Sequence, residues 1–364
     1  MNSMKTTQSL IAIAALFAVA GASAQSASSS SSSSVTLFGV ADVSIDHLKS
    51  DTNKVTGLSS GGVSSSRLGF RGVEDLGGGL KAGFWLEGGI PVDNGGSGFK
   101  FDRRSTISLM GGFGEVRLGR DKTPAYLNIE TFDPFGDVGV GAVNGANLIG
   151  GTSVAVGTPE GSGHKRVSNS INYILPKMSG FYGQLQYGFG ERPDGIANDR
   201  LGSSAAVRLG YQSGPLNVAA AYGTTRGGTE AKGVDYKAWN VGAAYNFGMI
   251  KPMAQFATER GSANNQRVDM YLIGATVPLG AGELRAAYSQ ISTKRVNDAD
   301  TQRFAIGYGY NLSKRTQLYA ALAHIKNDKN AKRGFGVSSS SLTGPTIAAG
   351  DKATGYEFGI RHTF

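Results

Sequence analysis

Arginine residues recur in this chain out of phase with large apolar residues, and this spacing is the first sign of chemistry. Arg67 and Arg71 alternate with Leu68 and Phe70. In an extended segment successive side chains point to opposite faces, so these guanidinium groups would share one face and the apolar side chains the other. Arginine stays charged at any working pH and presents a planar fork of donors to carboxylate or phosphate. Such a face would attract and orient anions without any covalent step.

Three more arginines are out of phase with apolar neighbours in the same way: Arg104, Arg117 and Arg166. The acidic residues that could oppose them are Glu87, Glu130, Asp133 and Asp137. A ring of fixed charge selects small ions by sign, and opposed charges across a narrow passage orient dipolar solutes. We therefore expect these arginines to form a basic wall on one face of their strands.

Signals for catalysis or metal binding are weaker. The chain has no Cys, which excludes disulfides, thiolate metal sites and a cysteine nucleophile. Its histidines lack any companion motif for a nucleophile and its base; they are His47, His164, His324 and His362. We expect no enzyme activity, no cofactor and no metal ion.

The charged residues above belong to segments with a period of two, which indicates β-strands. In the last segment Tyr356, Phe358 and Ile360 alternate with small or charged residues, and the chain ends on Phe364. We count sixteen segments, at about 35–47, 64–76, 80–90, 101–111, 114–120, 167–175, 181–189, 203–211, 216–225, 237–247, 250–260, 267–278, 282–292, 302–311, 315–326 and 353–364. The sequence therefore predicts an all-β chain.

The connections between these segments alternate between short and long. Short periplasmic turns and long outer loops are typical of outer-membrane barrels, whereas Greek-key sandwiches mix their loop lengths. The polar, glycine-rich inner faces of sixteen strands could not fill the enclosed volume as a core, so water must fill it. Closure also satisfies every backbone group, which hydrocarbon demands. We predict a closed 16-stranded antiparallel transmembrane β-barrel, localised in the outer membrane of a Gram-negative cell.

The N-terminus predicts export. Residues 1–24 combine a short start with Lys5, an apolar stretch and an Ala-x-Ala end, which is typical of a cleaved signal peptide. Residues 25–34 are serine-rich, and we expect an unpaired segment there, followed by the barrel over 35–364. Removal of Lys5 would lower the formal charge from +9 to +8. Because the basic residues are scattered among acidic ones, we expect no nucleic-acid partner.

Several motifs together resemble the trimeric general porins of Gram-negative outer membranes. The start of the first strand, Val35–Gly39, is similar to theirs, as are Ser66–Gly72 and Leu118–Arg120. The segment Asp133–Gly136, with Pro134, Phe135 and Gly136, looks like the family's Pro-Glu-Phe-Gly loop motif. Pro134 stands in place of the glutamate, so acidic neighbours must supply that charge. Phe364 resembles the terminal aromatic residue that the barrel-assembly machinery reads.

The resemblance implies where the narrow part of a pore would lie. Residues 121–166 correspond to a third loop that folds into the barrel, with Glu130, Asp133 and Asp137 as its acidic lip. Arg67, Arg104 and Arg166 resemble the family's constriction arginines, and Arg71 its adjacent basic residue. Glu87 resembles an acid of the lumenal wall.

The resemblance also implies function and partners. We expect a water-filled channel for passive diffusion of ions and small hydrophilic solutes, with weak to moderate anion selectivity. A channel dedicated to one class of anionic solute, such as organic acids or phosphate, is the alternative. The expected partners are the membrane lipid and lipopolysaccharide, two further copies in a homotrimer, the solutes in transit and the barrel-assembly machinery.

Overall fold

The computed structural model describes residues 34–96, 98–136, 138–143, 148–149, 165–335 and 342–364. The predicted signal peptide and the serine run before Ser34 lie outside these residues, as does Asp137. Within them, no helix is both long enough and apolar enough to cross a membrane.

One antiparallel sheet contains all seventeen strands of the described residues. The strands are β1 (Ser34–Ser50), β2 (Lys54–Ser60), β3 (Arg67–Gly77), β4 (Leu80–Gly89), β5 (Arg104–Gly111), β6 (Gly114–Lys122), β7 (Arg166–Ile174), β8 (Phe181–Gly188), β9 (Ser204–Ser213), β10 (Leu216–Gly228), β11 (Gly233–Tyr245), β12 (Lys251–Gly261), β13 (Gln266–Leu279), β14 (Gly282–Thr293), β15 (Asp300–Asn311), β16 (Thr316–Asn327) and β17 (Lys352–Thr363). A helix, α1 (Pro124–Thr131), and a 3₁₀ turn, Ala263–Asn265, complete the regular structure of the described residues.

The sheet closes into a barrel of sixteen strand positions. β1 pairs with β17 on one side, and on its other side with β2 at one end and β3 at the other. β2 and β3 therefore share a single position. Every other strand pairs with its neighbours in chain order, so the sheet closes on itself. The predicted fold class is confirmed.

The second strand position differs in detail from the prediction. The sequence predicted one strand over 64–76 after a long loop, but residues 54–60 form a strand of their own. Residues 61–66 interrupt the pairing, and the carboxylate of Asp42 on β1 accepts the backbone N–H groups of Gly62, Val63 and Ser64 at 3.2, 3.1 and 2.8 Å. The Asp42 side chain thus accepts hydrogen bonds that a neighbouring strand would otherwise accept. An alternating sequence pattern cannot reveal this substitution.

The two faces of the strands have opposite character, as β11 shows. Trp239, Val241 and Tyr245 are exposed on the outside, whereas Ala238 and Asn240 are buried inside. Strands β10 to β13 extend further towards the outer loops than predicted, so the outer connections 229–232 and 262–265 are only four residues long. The strict alternation of short and long connections is therefore weaker than predicted.

Candidate functional site

The connection between β6 and β7, residues 123–165, is called the constriction loop here. It begins with α1, whose first turn is capped by the Thr123 hydroxyl accepting the Tyr126 N–H at 3.2 Å. α1 packs against the inner face of β8–β11. The amide of Asn128 donates to Asn240 Oδ1 at 2.7 Å, and Arg208 Nε donates to Asn128 Oδ1 at 2.9 Å. The loop therefore lies inside the barrel.

After α1 the loop follows the wall through apolar contacts. A Cβ on Gly242 of β11 would overlap the Phe132 ring, so only glycine leaves room for this side chain. A Cβ on Gly274 of β13 would approach Pro134 Cγ to 2.6 Å. Phe135 lies in the next apolar cluster along the wall, with Leu48, Ala287, Ala305 and Ala323. These contacts fix the path of the loop across the barrel.

The far end of the described loop is held by buried acids of the wall. The backbone N–H of Val140 donates to Glu357 Oε2 at 3.2 Å, and that of Ile149 donates to Glu259 Oε2 at 2.9 Å. Because each of these buried carboxyl groups accepts a backbone donor, the cost of burying it is partly offset. The inward-folded third loop is confirmed for its described residues.

The last outer connection also holds the constriction loop. Arg333 Nη2 donates to the Leu148 carbonyl at 2.6 Å. Burial lowers the pKa of Arg333 to about 10, and the negative charge of Glu259 opposes this shift. Arg333 therefore remains cationic at neutral pH while it bridges two outer loops.

The loop leaves the wall of β3–β7 uncovered, and this wall is basic. The predicted residues Arg67, Arg71, Arg104, Arg117 and Arg166 all line one lumenal cavity of about 1490 Å³. Ten basic and six acidic side chains of the described residues line that cavity. The geometry thus brings the five predicted arginines together with a local excess of positive charge.

Acidic partners stabilise part of the wall. Glu87 lies between Arg67 and Arg103, at 3.9 and 2.7 Å from their Nε atoms. Asp121 contacts Arg104 Nε at 4.0 Å and also pairs with Arg117. Glu87 was predicted on the acidic side of the pore, but it lies within the basic wall, because β4 neighbours β3 and β5 in the sheet. It acts there as a counter-charge.

Aromatic rings contact two cations of the wall, Arg71 and Arg104, the second of which also contacts Asp121. The guanidinium carbon of Arg71 lies 5.3 Å from the Phe38 centroid and 5.1 Å from that of Trp85, and Arg104 lies 4.5 Å from Trp85. Phe38 and Trp85 contact each other edge to face at 5.0 Å. An aromatic ring is neutral, so it holds a cation without offsetting its positive charge. A carboxylate partner offsets that charge. Arg71 is also exposed to the lumen.

The predicted acidic lip is weaker than expected. Lys122 Nζ binds both carboxylate oxygens of Glu130, at 2.9 and 2.7 Å. Asp133 Oδ1 accepts the Phe135 N–H at 2.8 Å and so shapes the turn before Pro134. Both residues and the motif Pro134, Phe135 and Gly136 line the cavity. Their part in ion selection stays a prediction, and Asp137 lies outside the described residues.

Some lumenal residues were not predicted from the sequence. Arg103, Lys165, Lys251 and Arg285 add positive charge to the cavity. Arg103 falls within the predicted segment 101–111, whose period places it on the face opposite Arg104, but in the structure it precedes β5 and lines the same cavity as Arg104. Arg208 lies on a segment with the expected period, but its partner Asn128 is eighty residues away in the chain. That contact could be found only from the fold.

A sequence model of the family described as Gram-negative porin matches residues 12–330. The chain belongs to the Gram-negative porin family. Outer membrane porin protein 32 of Delftia acidovorans is 38% identical over 364 residues, covering 98% of this porin and 99% of that protein. An outer membrane porin of Bordetella pertussis is 30% identical, covering 88% and 94% of the two chains.

Solved structures agree with this assignment. The anion-selective porin from Comamonas acidovorans superposes with a TM-score of 0.83 at 36% identity, covering 92% of this porin and all of that chain. An OmpF complex of Salmonella typhi has a TM-score of 0.64 at 15% identity, which shows the shared fold alone. The protein is thus an outer-membrane porin, and its lumen is a channel for the passive diffusion of small hydrophilic solutes.

Proposed function

We propose that this porin is a weakly to moderately anion-selective diffusion channel. The observation that carries the proposal is the uncovered basic wall, whose residues Arg71 and Arg104 contact aromatic faces in the lumen. Fixed charge acts on ions within about one Debye length, ~8 Å at physiological salt, so anions concentrate where the constriction loop narrows the lumen. The 36% sequence identity of this porin with the anion-selective porin from Comamonas acidovorans also supports an anion preference.

The acids of the lumen limit the strength of this preference. Glu87, Asp121 and Glu130 each neutralise part of the local field through the ion pairs described above. The residues Arg67, Arg104, Arg117 and Arg166 would then set the sign of the field, while Asp133 shapes the loop turn. A field of mixed charge passes solutes quickly, because passage needs weak binding.

A channel dedicated to anionic solutes is the second candidate. The surroundings of Arg71 favour this second candidate. Within the described residues this arginine contacts aromatic rings and no carboxylate, so its N–H groups are available to an oxyanion. A dedicated site would make conductance saturate as succinate or inorganic phosphate is raised, whereas a general channel gives conductance proportional to concentration. Planar-bilayer recordings in the two salts distinguish these outcomes.

The test of anion preference is the double variant Arg67→Ser with Arg104→Ser. The double variant removes two positive charges from the lumen and leaves the negative charges of Glu87 and Asp121 less neutralised. The zero-current potential in a salt gradient should therefore shift towards cation preference. Lys326→Ser with Lys352→Ser is the matched control, since these residues lie opposite each other on the outer faces of β16 and β17. Equal shifts in both variants would contradict the proposed role of the wall.

We also propose a homotrimer that inserts through the barrel-assembly machinery and contacts lipopolysaccharide in the outer leaflet. Family membership supports the trimer, and a structural neighbour from Vibrio cholerae is described in a trimer form. Native mass measurement in mild detergent tests it. A single population of monomers would contradict the trimer.

A further inference from the structure

An apolar surface lies inside the barrel, between the basic wall and the short turns of the periplasmic side. Arg71 on β3 and Trp85 on β4 lie opposite each other, and the next inward positions towards the turn are Val73 and Gly83, which are also paired. A Cβ on Gly83 would lie 2.8 Å from Met110 Cε and 3.8 Å from Val73 Cγ2, so both side chains extend over this glycine. Val73 is 43% exposed although it faces the lumen.

Four side chains of neighbouring strands form this apolar shelf: Phe38 on β1, Val73 on β3, Trp85 on β4 and Met110 on β5. Phe38 crosses over Gly69, where a Cβ would lie 2.5 Å from Phe38 Cζ. The positioning of arginines accounts for the two aromatic rings, but it does not account for the exposed surface of Val73. Contiguous apolar surface that faces water commonly marks a binding site.

The cation at the edge of the shelf is open to a ligand. Arg71 is exposed, and within the described residues it contacts aromatic rings and no carboxylate. Glu115 on β6 is already bound by Arg117, whose Nε and Nη2 donate to it at 2.9 and 3.0 Å. Asp75 and Lys81 lie opposite each other between the shelf and the turn, so their charges offset. The local charge therefore favours an anion at Arg71.

We propose that Arg71 and the apolar shelf bind aromatic carboxylates in transit through the lumen. The planar guanidinium group binds a carboxylate through paired donors. Residues two apart on a strand are about 7 Å apart, which is close to the length of a single-ring carboxylate. A ring directed along β3 from Arg71 therefore covers Val73, whereas a small inorganic anion meets the cation alone.

This proposal names a solute class for the second candidate channel, and it rests on a lumen that admits anions. The test measures how benzoate blocks the potassium chloride current through the native porin in a planar bilayer. Acetate carries the same charge without a ring, and benzamide carries the ring without a charge. Benzoate should lower the single-channel conductance with a saturating concentration dependence, and the other two probes should not.

The zero-current potential of the same membranes, recorded before benzoate is added, reports ion preference separately. Chloride preference without benzoate block would overturn the shelf proposal alone. Potassium preference with benzoate block would support the shelf and contradict only the general preference for anions.

A double variant tests the shelf itself. Val73→Ser with Met110→Ser removes apolar surface and retains Arg71. Benzoate should then bind about tenfold more weakly, which is the effect of losing roughly 50 Å² of apolar contact. The matched control, Val63→Ser with Ile90→Ser, changes two partly exposed residues that line the lumenal cavity away from the shelf, and benzoate should block it as it blocks the native porin.

Two results would overturn the proposal. One is equal block of the native porin by benzoate and acetate, and the other is unchanged benzoate block in the double variant of the shelf. If that variant does not assemble, the comparison of benzoate with acetate in the native porin decides.

Discussion

The guanidinium carbon of Arg104 lies 4.5 Å from the centroid of the Trp85 ring, and Arg71 lies 5.1 Å from the same ring. One indole thus positions two cations of the channel wall. Stacking on an aromatic face holds a cation in place and stabilises it by about 0.5–1 kcal/mol per contact at exposed sites. This arrangement explains how a narrow lumen can keep several like charges close together.

Replacing Trp85 should disturb the wall without removing charge. Trp85→Leu frees the side chains of Arg71 and Arg104 and removes a donor to Glu87, to which the indole N–H donates at 3.1 Å. We expect the sign of ion preference to persist while open-channel current noise rises. Trp85→Phe keeps a ring face and is the control. Single-channel recordings that show no difference between the two variants would contradict the positioning role.

The contact between Phe132 and Gly242 offers a test of how the constriction loop is held against the barrel wall. Gly242→Ala places a methyl group against the Phe132 ring, and overpacking of this kind typically costs about 1–3 kcal/mol of unfolding free energy. We expect a displaced loop and altered single-channel conductance. Gly223→Ala is the control, because a Cβ there meets Ala206 at an ordinary 3.5 Å. Native conductance in Gly242→Ala would show that this contact does not set the pore.

Arg333 should stabilise the part of the constriction loop at Leu148 and Ile149. Arg333→Met removes the donor to the Leu148 carbonyl and the positive charge near Glu259, whose carboxylate binds the Ile149 N–H. We expect frequent brief closures in single-channel records. Arg333→Lys, which retains the charge, should restore part of the native behaviour. A quiet channel in Arg333→Met would exclude this role.

The terminal Phe364 should be needed for assembly. Its backbone N–H and carbonyl pair with Gly39 at 3.1 and 3.0 Å, which closes the barrel seam, and its side chain is exposed outside. We expect Phe364→Ala to reduce the amount of porin in the outer membrane. Phe358→Ala removes a similarly exposed ring from β17 and is the control. Equal outer-membrane levels of both variants would contradict a specific terminal signal.

The strand pattern predicted the barrel and the lumenal arginines because a period of two survives wherever one face meets lipid and the other water. It was less accurate where side chains replace strand pairing. Asp42 accepts the backbone N–H groups of residues 62–64, and Asn169, with a φ of 52°, lies where the pairing of β7 with β6 shifts its register. Val167, which the strand period places on the face opposite Arg166, is buried next to this shift.

The partner of each charged side chain could not be predicted from the strand pattern. The pairing of Lys122 with Glu130 turns a predicted lip acid into a neutralised one, although both residues were visible in the sequence. Arg333 reaches Leu148 across 185 positions, which no local pattern encodes. Periodicity determines which face a side chain occupies, whereas its partner depends on the closed fold.

The most direct test of anion preference is the zero-current potential of the native porin in a potassium chloride gradient across a planar bilayer. The basic wall predicts a potential of the sign that marks chloride as the more permeant ion. The potential should shrink when both solutions are made more concentrated, because salt screens the fixed charge. A potential of the opposite sign, with potassium as the more permeant ion, would show that the lumenal acids control the constriction and would contradict the account.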